Sequence, residues 1–113
     1  MAEISTAGYS WIRGLMKAQT VYLALYDDLG SQIGSRSSVS GGAWSENGTT
    51  LTITKQYAGT AFTLPQTVKS SRIYDAASGG NALTALENFA EGVATLRANE
   101  DTITVYHSIQ VPA

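Results

Sequence analysis

Few side chains of this sequence have the type and spacing that chemistry requires. The single histidine, His107, follows Tyr106 late in the chain. To serve as a base for serine or as a metal ligand it needs partners at fixed spacing, such as an H-E-x-x-H pair, and none surrounds it. The expected role is a surface or edge histidine on a strand. Asp27-Asp28 offers two carboxylates to a hard cation, but no D-x-[DN]-x-[DN]-G loop follows. That pair reads as a strand-ending turn. Glu87 and Glu91 stand four apart and would share a helix face, where paired carboxylates can do acid–base work. No cleft signature accompanies them, so a solvated face is expected. Gly30, Gly34, Gly41 and Gly42 have neither phosphate-loop nor dinucleotide spacing and read as turn residues. With no cysteine, disulfides, thiolate zinc sites and cysteine nucleophiles are all excluded. The expectation is no catalytic residue, no metal site and no cofactor. Four side chains stand out as partner-contact candidates instead. Trp11 and Met16 lie on an amphipathic N-terminal stretch, and Trp44 and Tyr57 lie in turn-rich surroundings, where rigid aromatics can contact a partner at low entropic cost.

The elements that would carry these residues are mostly strands. Ile4, Ala7, Trp11, Ile12, Leu15 and Met16 recur at spacings of three and four, which predicts a short helix over 4–17 capped by Ser5 or Thr6. Such a helix is too short to be stable alone and must dock. Thr20–Tyr26 is dense in β-branched and aromatic residues and reads as a strand covered on both faces. A long Ser/Gly/Asp segment, 27–42, reads as a loop. Asn47-Gly48 between Ala43–Glu46 and Thr49–Thr54 is a strong hairpin signal, with Leu51 and Ile53 facing the core. Strands are further expected at 60–64, 67–74 and 102–106, with 107–111 either continuing the last after a bulge or forming a final edge strand. Asp75–Asn81 reads as a turn. In 82–99, Leu83, Leu86, Phe89, Val93 and Leu96 fall at helical intervals, interrupted by Gly92, so local pattern alone favours a helix.

Composition narrows the class. The 113 residues weigh 11.9 kDa, enough for one domain, and carry seven Lys+Arg against nine Asp+Glu for a net charge of −2. No basic cluster suits phosphate neutralisation, which argues against nucleic acid as a partner. No apolar run approaches the roughly 18–20 residues needed to span a bilayer, and Met1–Ser5 lacks the basic and apolar regions of a secretory signal. At 43% hydrophobic the chain is no disordered segment. Charged residues make up only 14%, and neutral Ser, Thr and Gly take their place.

Several separated pieces share one pattern. Val21-Tyr22-Leu23-Ala24-Leu25-Tyr26 comes first, then Val39-Ser40-Gly41-Gly42 with an aromatic at Trp44. Ile73-Tyr74-Asp75-Ala76-Ala77-Ser78-Gly79-Gly80-Asn81 follows, and an Asn99–Thr102 run leads into the last strand. In that order they resemble small bacteriophage virion structural proteins of the tail-fibre-like or minor tail protein type, over roughly Ile4–Val111. The 73–81 run is the most specific part. The sequence departs from that pattern at Asp27-Asp28-Leu29-Gly30, at Glu100 where a glycine is usual, and at Trp44-Ser45-Glu46.

The resemblance implies a mainly β domain, an antiparallel β-sandwich of about seven to eight strands with one short N-terminal helix. It spans 1–113, with 1–17 a helical docking segment and 18–113 the sandwich. It implies strands, not helix, at 82–86 and 93–96, and strands are the expectation for both. It also implies a non-enzymatic component of the virion: tail- or neck-associated, or a capsid decoration. Such a protein acts by self-association, as a homo-oligomer with a trimer the expected form, and by docking to other virion structural proteins. Assembly would take place in the host cytoplasm, with no nucleic acid or membrane partner. The alternative is a β-sandwich recognition module that binds a host-surface glycan through Trp44 and Tyr57.

Overall fold

The computed structural model describes residues 1–112, one helix and nine strands: α1 (Thr6–Ala18), β1 (Val21–Tyr26), β2 (Ser37–Val39), β3 (Trp44–Asn47), β4 (Thr50–Ala58), β5 (Gln66–Val68), β6 (Ser70–Tyr74), β7 (Glu87–Asn88), β8 (Ala94–Leu96) and β9 (Thr102–Gln110). All strand pairings are antiparallel. They form a four-stranded sheet in the order β2-β1-β6-β7, a three-stranded sheet β3-β4-β9 and a small β5-β8 pair. The protein is therefore a mainly β, sandwich-like domain with one N-terminal helix.

The core follows from alternation. Leu51 and Ile53 on β4, Val105 on β9, Leu23 and Leu25 on β1 and Ile73 on β6 bury their side chains, and Trp44, Val68 and Leu96 close the cluster. The β3-β4 hairpin turns at Asn47-Gly48, where Gly48 takes a φ of +63°, a left-handed conformation that glycine adopts without strain. β1 is buried along nearly its whole length, as its continuous apolar character predicts. The loop after it begins on Asp27, whose Oδ1 accepts the amides of Leu29 and Ser31 at 2.9 Å each. Asp28 Oδ1 accepts the Thr67 hydroxyl. Both carboxylates thus serve the turn.

The segment 27–42 contains β2, and Arg36 ties it to the tip at 75–81. Its guanidinium donates to the carbonyls of Ala76 and Gly79 and lies 3.5 Å from the centre of the Tyr74 ring. In that tip the Asn81 amide and side chain bond the Asp75 carboxylate, which these donors hold below the usual carboxylate range.

Four expectations need correction. Residues 60–64 form no strand: a single 3-10 turn at Gly59–Ala61 precedes β5. The expected strand at 67–74 is two strands, β5 and β6, which change sheet across Lys69. No strand runs through 82–86. Only Ala82 bridges to Tyr74, and the paired residues are Glu87–Asn88. β9 runs to Gln110 with unbroken register against β4 and no bulge. The strand expected at 93–96 is present as β8, and 82–99 contains no helix.

Candidate functional site

The N-terminal helix carries two of the four partner-contact candidates, Trp11 and Met16. Ser5 caps it by accepting the Gly8 amide at 3.1 Å. One side, with Ile12 and Met16 partly buried, turns toward the sheets, and Met16 packs on the core cluster. At its centre lies Arg13, only 6% exposed. Its Nε donates to Glu46 Oε2 on β3 at 2.8 Å, and its Nη1 donates to the Val111 carbonyl beyond β9. Lys17 joins the same carboxylate at Oε1. These two bases, Lys17 foremost, hold Glu46 below its ordinary titration range. One carboxylate thus anchors the helix through two basic residues four apart, consecutive turns of a single face.

Anchoring of that kind has a direct consequence. Arg13→Met keeps most of the buried stem and removes the donors. The helix is expected to undock, seen as a several-fold faster tryptic cut after Lys17, while the melting temperature of the sheets changes little. An unchanged cleavage rate would show that the guanidinium does not hold α1.

The opposite side of the helix has no cover. Trp11 is 67% exposed, and Leu15 and Ile4 are also exposed. Ile4 lies over Gly8, where a Cβ would come within 2.8 Å of its Cγ2. Positions 8, 11 and 15 follow one another along a face of α1, and Ile4, just before the Ser5 cap, lies over the start of that face. Sidedness is thus doubled: one apolar stripe covers the domain and another faces solvent.

Between the helix and the sheets lies a cavity of about 260 Å³, bounded by Met16, Val21, Trp44, Ile73, Leu83 and Asp75 among others. Of the four partner-contact candidates, Met16 and Trp44 meet here, Trp11 stands on the outer stripe, and Tyr57 lies elsewhere. Trp44 is only 8% exposed, because hairpin pairing sets it opposite Ile53, and its Nε1 has no hydrogen-bond partner among the described residues. Tyr57 is half-buried four positions beyond Ile53. Its hydroxyl donates to Ser37 Oγ at 3.0 Å, and its ring packs on Phe62. Burial raises its pKa. Neither ring is an open platform in the isolated chain, contrary to what the turn-rich surroundings suggest.

His107 is not a surface residue. It is 1% exposed, and Nδ1 meets Ser71 Oγ at 2.8 Å while Nε2 meets Thr84 Oγ1 at 2.9 Å. The Thr84 hydroxyl also lies 2.9 Å from the Ala85 carbonyl. The chain of bonds is complete when Ser71 donates to Nδ1, Nε2–H donates to Thr84, and Thr84 donates to Ala85. Serine beside histidine is a nucleophile–base pairing in type, but Ser71 is fully buried and no substrate atom can reach it. The arrangement is a cross-strand tie between β6 and β9. The signal for it lay in the odd-numbered alternation Ile103, Val105, His107, Ile109, which places His107 on the inward face.

A second, partly buried polar contact joins β1 and β6, where the Tyr26 and Tyr74 hydroxyls bond each other. Burial, and then this bond, push the Tyr26 phenol up to about 12. Among the described residues no group of three His, Asp or Glu side chains gathers as a metal site would require, and no helix is long and apolar enough to cross a membrane. Compared with known proteins, the chain matches no family model, no curated protein and no solved structure.

Proposed function

We propose that the protein is a non-enzymatic structural component of a bacteriophage virion, tail- or neck-associated or a capsid decoration. It works by self-association and by docking to other virion proteins. The observation that carries the docking part is the outward stripe of α1. Ile4, Trp11 and Leu15 keep water on apolar surface that a monomer has no reason to expose in one row, and contiguous patches of this kind mark interaction sites. A Trp at the centre of such a patch is the residue type that most often dominates binding energy. The same helix is fixed to the domain through Arg13 and Glu46, so the stripe is presented on a held element. The virion setting rests on the order of the sequence motifs that resemble phage tail proteins.

Size-exclusion chromatography with light scattering tests the reading. The wild-type protein is expected to elute as an oligomer of the 11.9 kDa chain, with three copies the expected number. Trp11→Ser is expected to shift it to monomer with the fold unchanged by circular dichroism. A wild-type protein that is strictly monomeric, and that never co-purifies with phage particles, would overturn the proposal.

A further inference from the structure

The three-stranded sheet ends on β9, and that strand has β4 on one side only. Register with β4 is unbroken from Thr102 opposite Ala58 to Gln110 opposite Thr50. The bonds that flank it run from the Gly59 amide to the Asp101 carbonyl at 2.7 Å, and from the Val111 amide to the Thr49 carbonyl at 2.9 Å. Odd-numbered residues therefore turn their backbone groups toward β4, and even-numbered residues turn theirs away. Of the outward donors, Ser108 N–H is taken by Glu87 Oε1 at 2.8 Å. The amides of Thr102, Thr104 and Tyr106 have no partner among the described residues. Open edges of this length are normally covered or blocked by charge. Here Glu87 blocks one end and leaves the other.

A groove of about 440 Å³ runs beside the open part, walled by Phe89, Val93, Ile103, Thr104 and Tyr106 with Glu91 at its rim. Val93 and Tyr106 are both exposed, Tyr106 by 58%. We propose that the β9 edge at Thr102–Tyr106 and this groove bind an extended segment of a partner protein as an added strand. The segment carries apolar side chains at alternate positions and at least one Lys or Arg. Strand addition supplies main-chain bonds for affinity and side-chain pockets for selection, and the edge and the groove provide one each. The basic residue answers the carboxylates of Glu87 and Glu91. Charge also decides against a second copy of the chain in this place. Neither 87–94 nor 102–110 contains a Lys or Arg, so pairing β9 with β9 would crowd four carboxylates along one seam without a counter-charge. This surface is separate from the outward stripe of α1.

The probe is a capped seven-residue peptide with Val at alternate positions, Thr between them and Lys at both ends, titrated into the ¹⁵N-labelled protein. Saturable shifts centred on the amides of Thr102, Thr104 and Tyr106 are expected. A peptide N-methylated along its pairing edge should bind at least tenfold more weakly, since the loss of one or two net hydrogen bonds is of about that size. Thr104→Pro should weaken binding similarly. Proline removes only an outward N–H there and leaves the β4 ladder whole. Glu91→Lys, which disturbs no pairing, should weaken it about threefold through the lost attraction. Three results would each overturn the proposal: no saturable binding, equal affinity for the N-methylated peptide, or dimerisation through β9 that Thr104→Pro abolishes. Trp11→Ser should leave peptide binding unchanged, which keeps this surface distinct from the helix.

Discussion

Gly59→Ala is expected to destabilise the protein by about 3 kcal/mol, the upper end of what overpacking a tight site costs. Gly59 closes the ladder between β4 and β9, donating its amide to the Asp101 carbonyl. It is buried, and a Cβ placed on it would lie 3.0 Å from the Ala98 carbonyl carbon and 3.1 Å from Asn99 Cα, with the Ala98 oxygen nearer still. The obstacle is backbone that cannot retreat. Asp101 Oδ2 accepts the amides of Arg97 and Ala98 at 2.8 and 3.0 Å, and the Ala98 oxygen accepts the Asp101 amide at 3.1 Å. These donors hold the Asp101 carboxyl below its usual range. Any shift that admits the methyl group opens the turn that delivers the chain into β9. Gly14 is the control. It lies within α1 with nothing within 4 Å of a built Cβ, so Gly14→Ala should stabilise by up to about 1 kcal/mol through helix propensity. Urea unfolding of both variants measures the difference. A Gly59→Ala protein within about 1 kcal/mol of wild type would mean that the turn yields and the close approach is incidental.

That contrast could not be read from the sequence, which shows two glycines and no neighbours. What the sequence did carry was local. Asn47-Gly48 between alternating runs is a turn whose geometry is fixed by the dipeptide itself, and β3 and β4 follow from it. The dense apolar run at Val21–Tyr26 had to be central, and it is, flanked by β2 and β6. Trp44 shows where locality fails. Its immediate neighbours are turn residues, but the hairpin register sets it against Ile53 and into the core. The same holds for Arg13. Its charge marks it as solvent-facing, but its place between Ile12 and Met16 turns it inward, where Glu46 is supplied from thirty-three residues away.

The stretch 82–99 is a conflict between levels. The spacing of Leu83, Leu86, Phe89 and Val93 is helical, but in the fold Leu83, Leu86 and Val93 are exposed and only Leu96 is fully buried. A helix there would have to give up two long-range ties. The Arg72 guanidinium donates to the Thr84 carbonyl at 2.8 Å, and the Phe89 amide donates to the Lys69 carbonyl at 2.9 Å. Gly92, with a φ of +86°, ends any helical path. Local propensity is worth tenths of a kcal/mol per residue, and tertiary pairing overrides it. Of these residues Leu83 lines the helix-side cavity and Phe89 and Val93 line the groove, so residues that mislead a secondary-structure reading also shape the surface.

His107 links core and pH, and its titration should set the upper limb of the acid profile. Burial lowers its pKa below the ordinary 6.5, while the carboxylate of Glu87 pulls the other way; Arg72 on β6, tied to the Thr84 carbonyl, and Lys55 on β4 are further charges on the elements packed against it. A lowered folded-state pKa means that the unfolded chain binds the proton more readily. Stability is therefore fully present above the unfolded value and declines as the pH falls through it, by at most about 1.4 kcal/mol per pH unit for one proton. The structural reason is that Nδ1 must stay an acceptor for the Ser71 hydroxyl. A proton there sets donor against donor in a fully buried site. Glu46, Asp75 and Asp101, all with lowered values, add a second loss that begins as the pH falls into the ordinary carboxylate range and continues below it. Thermal melts from pH 8 to 3 should thus fall in two stages. His107→Gln can still accept from Ser71 and donate to Thr84, and it should erase the upper stage while leaving the lower one. His107→Ala removes both bonds, opens a cavity and strands two buried hydroxyls, for a loss of about 3 kcal/mol at neutral pH. A wild-type profile that is flat between pH 7.5 and 5.5, or an upper stage that persists in His107→Gln, would assign the acid sensitivity to other groups.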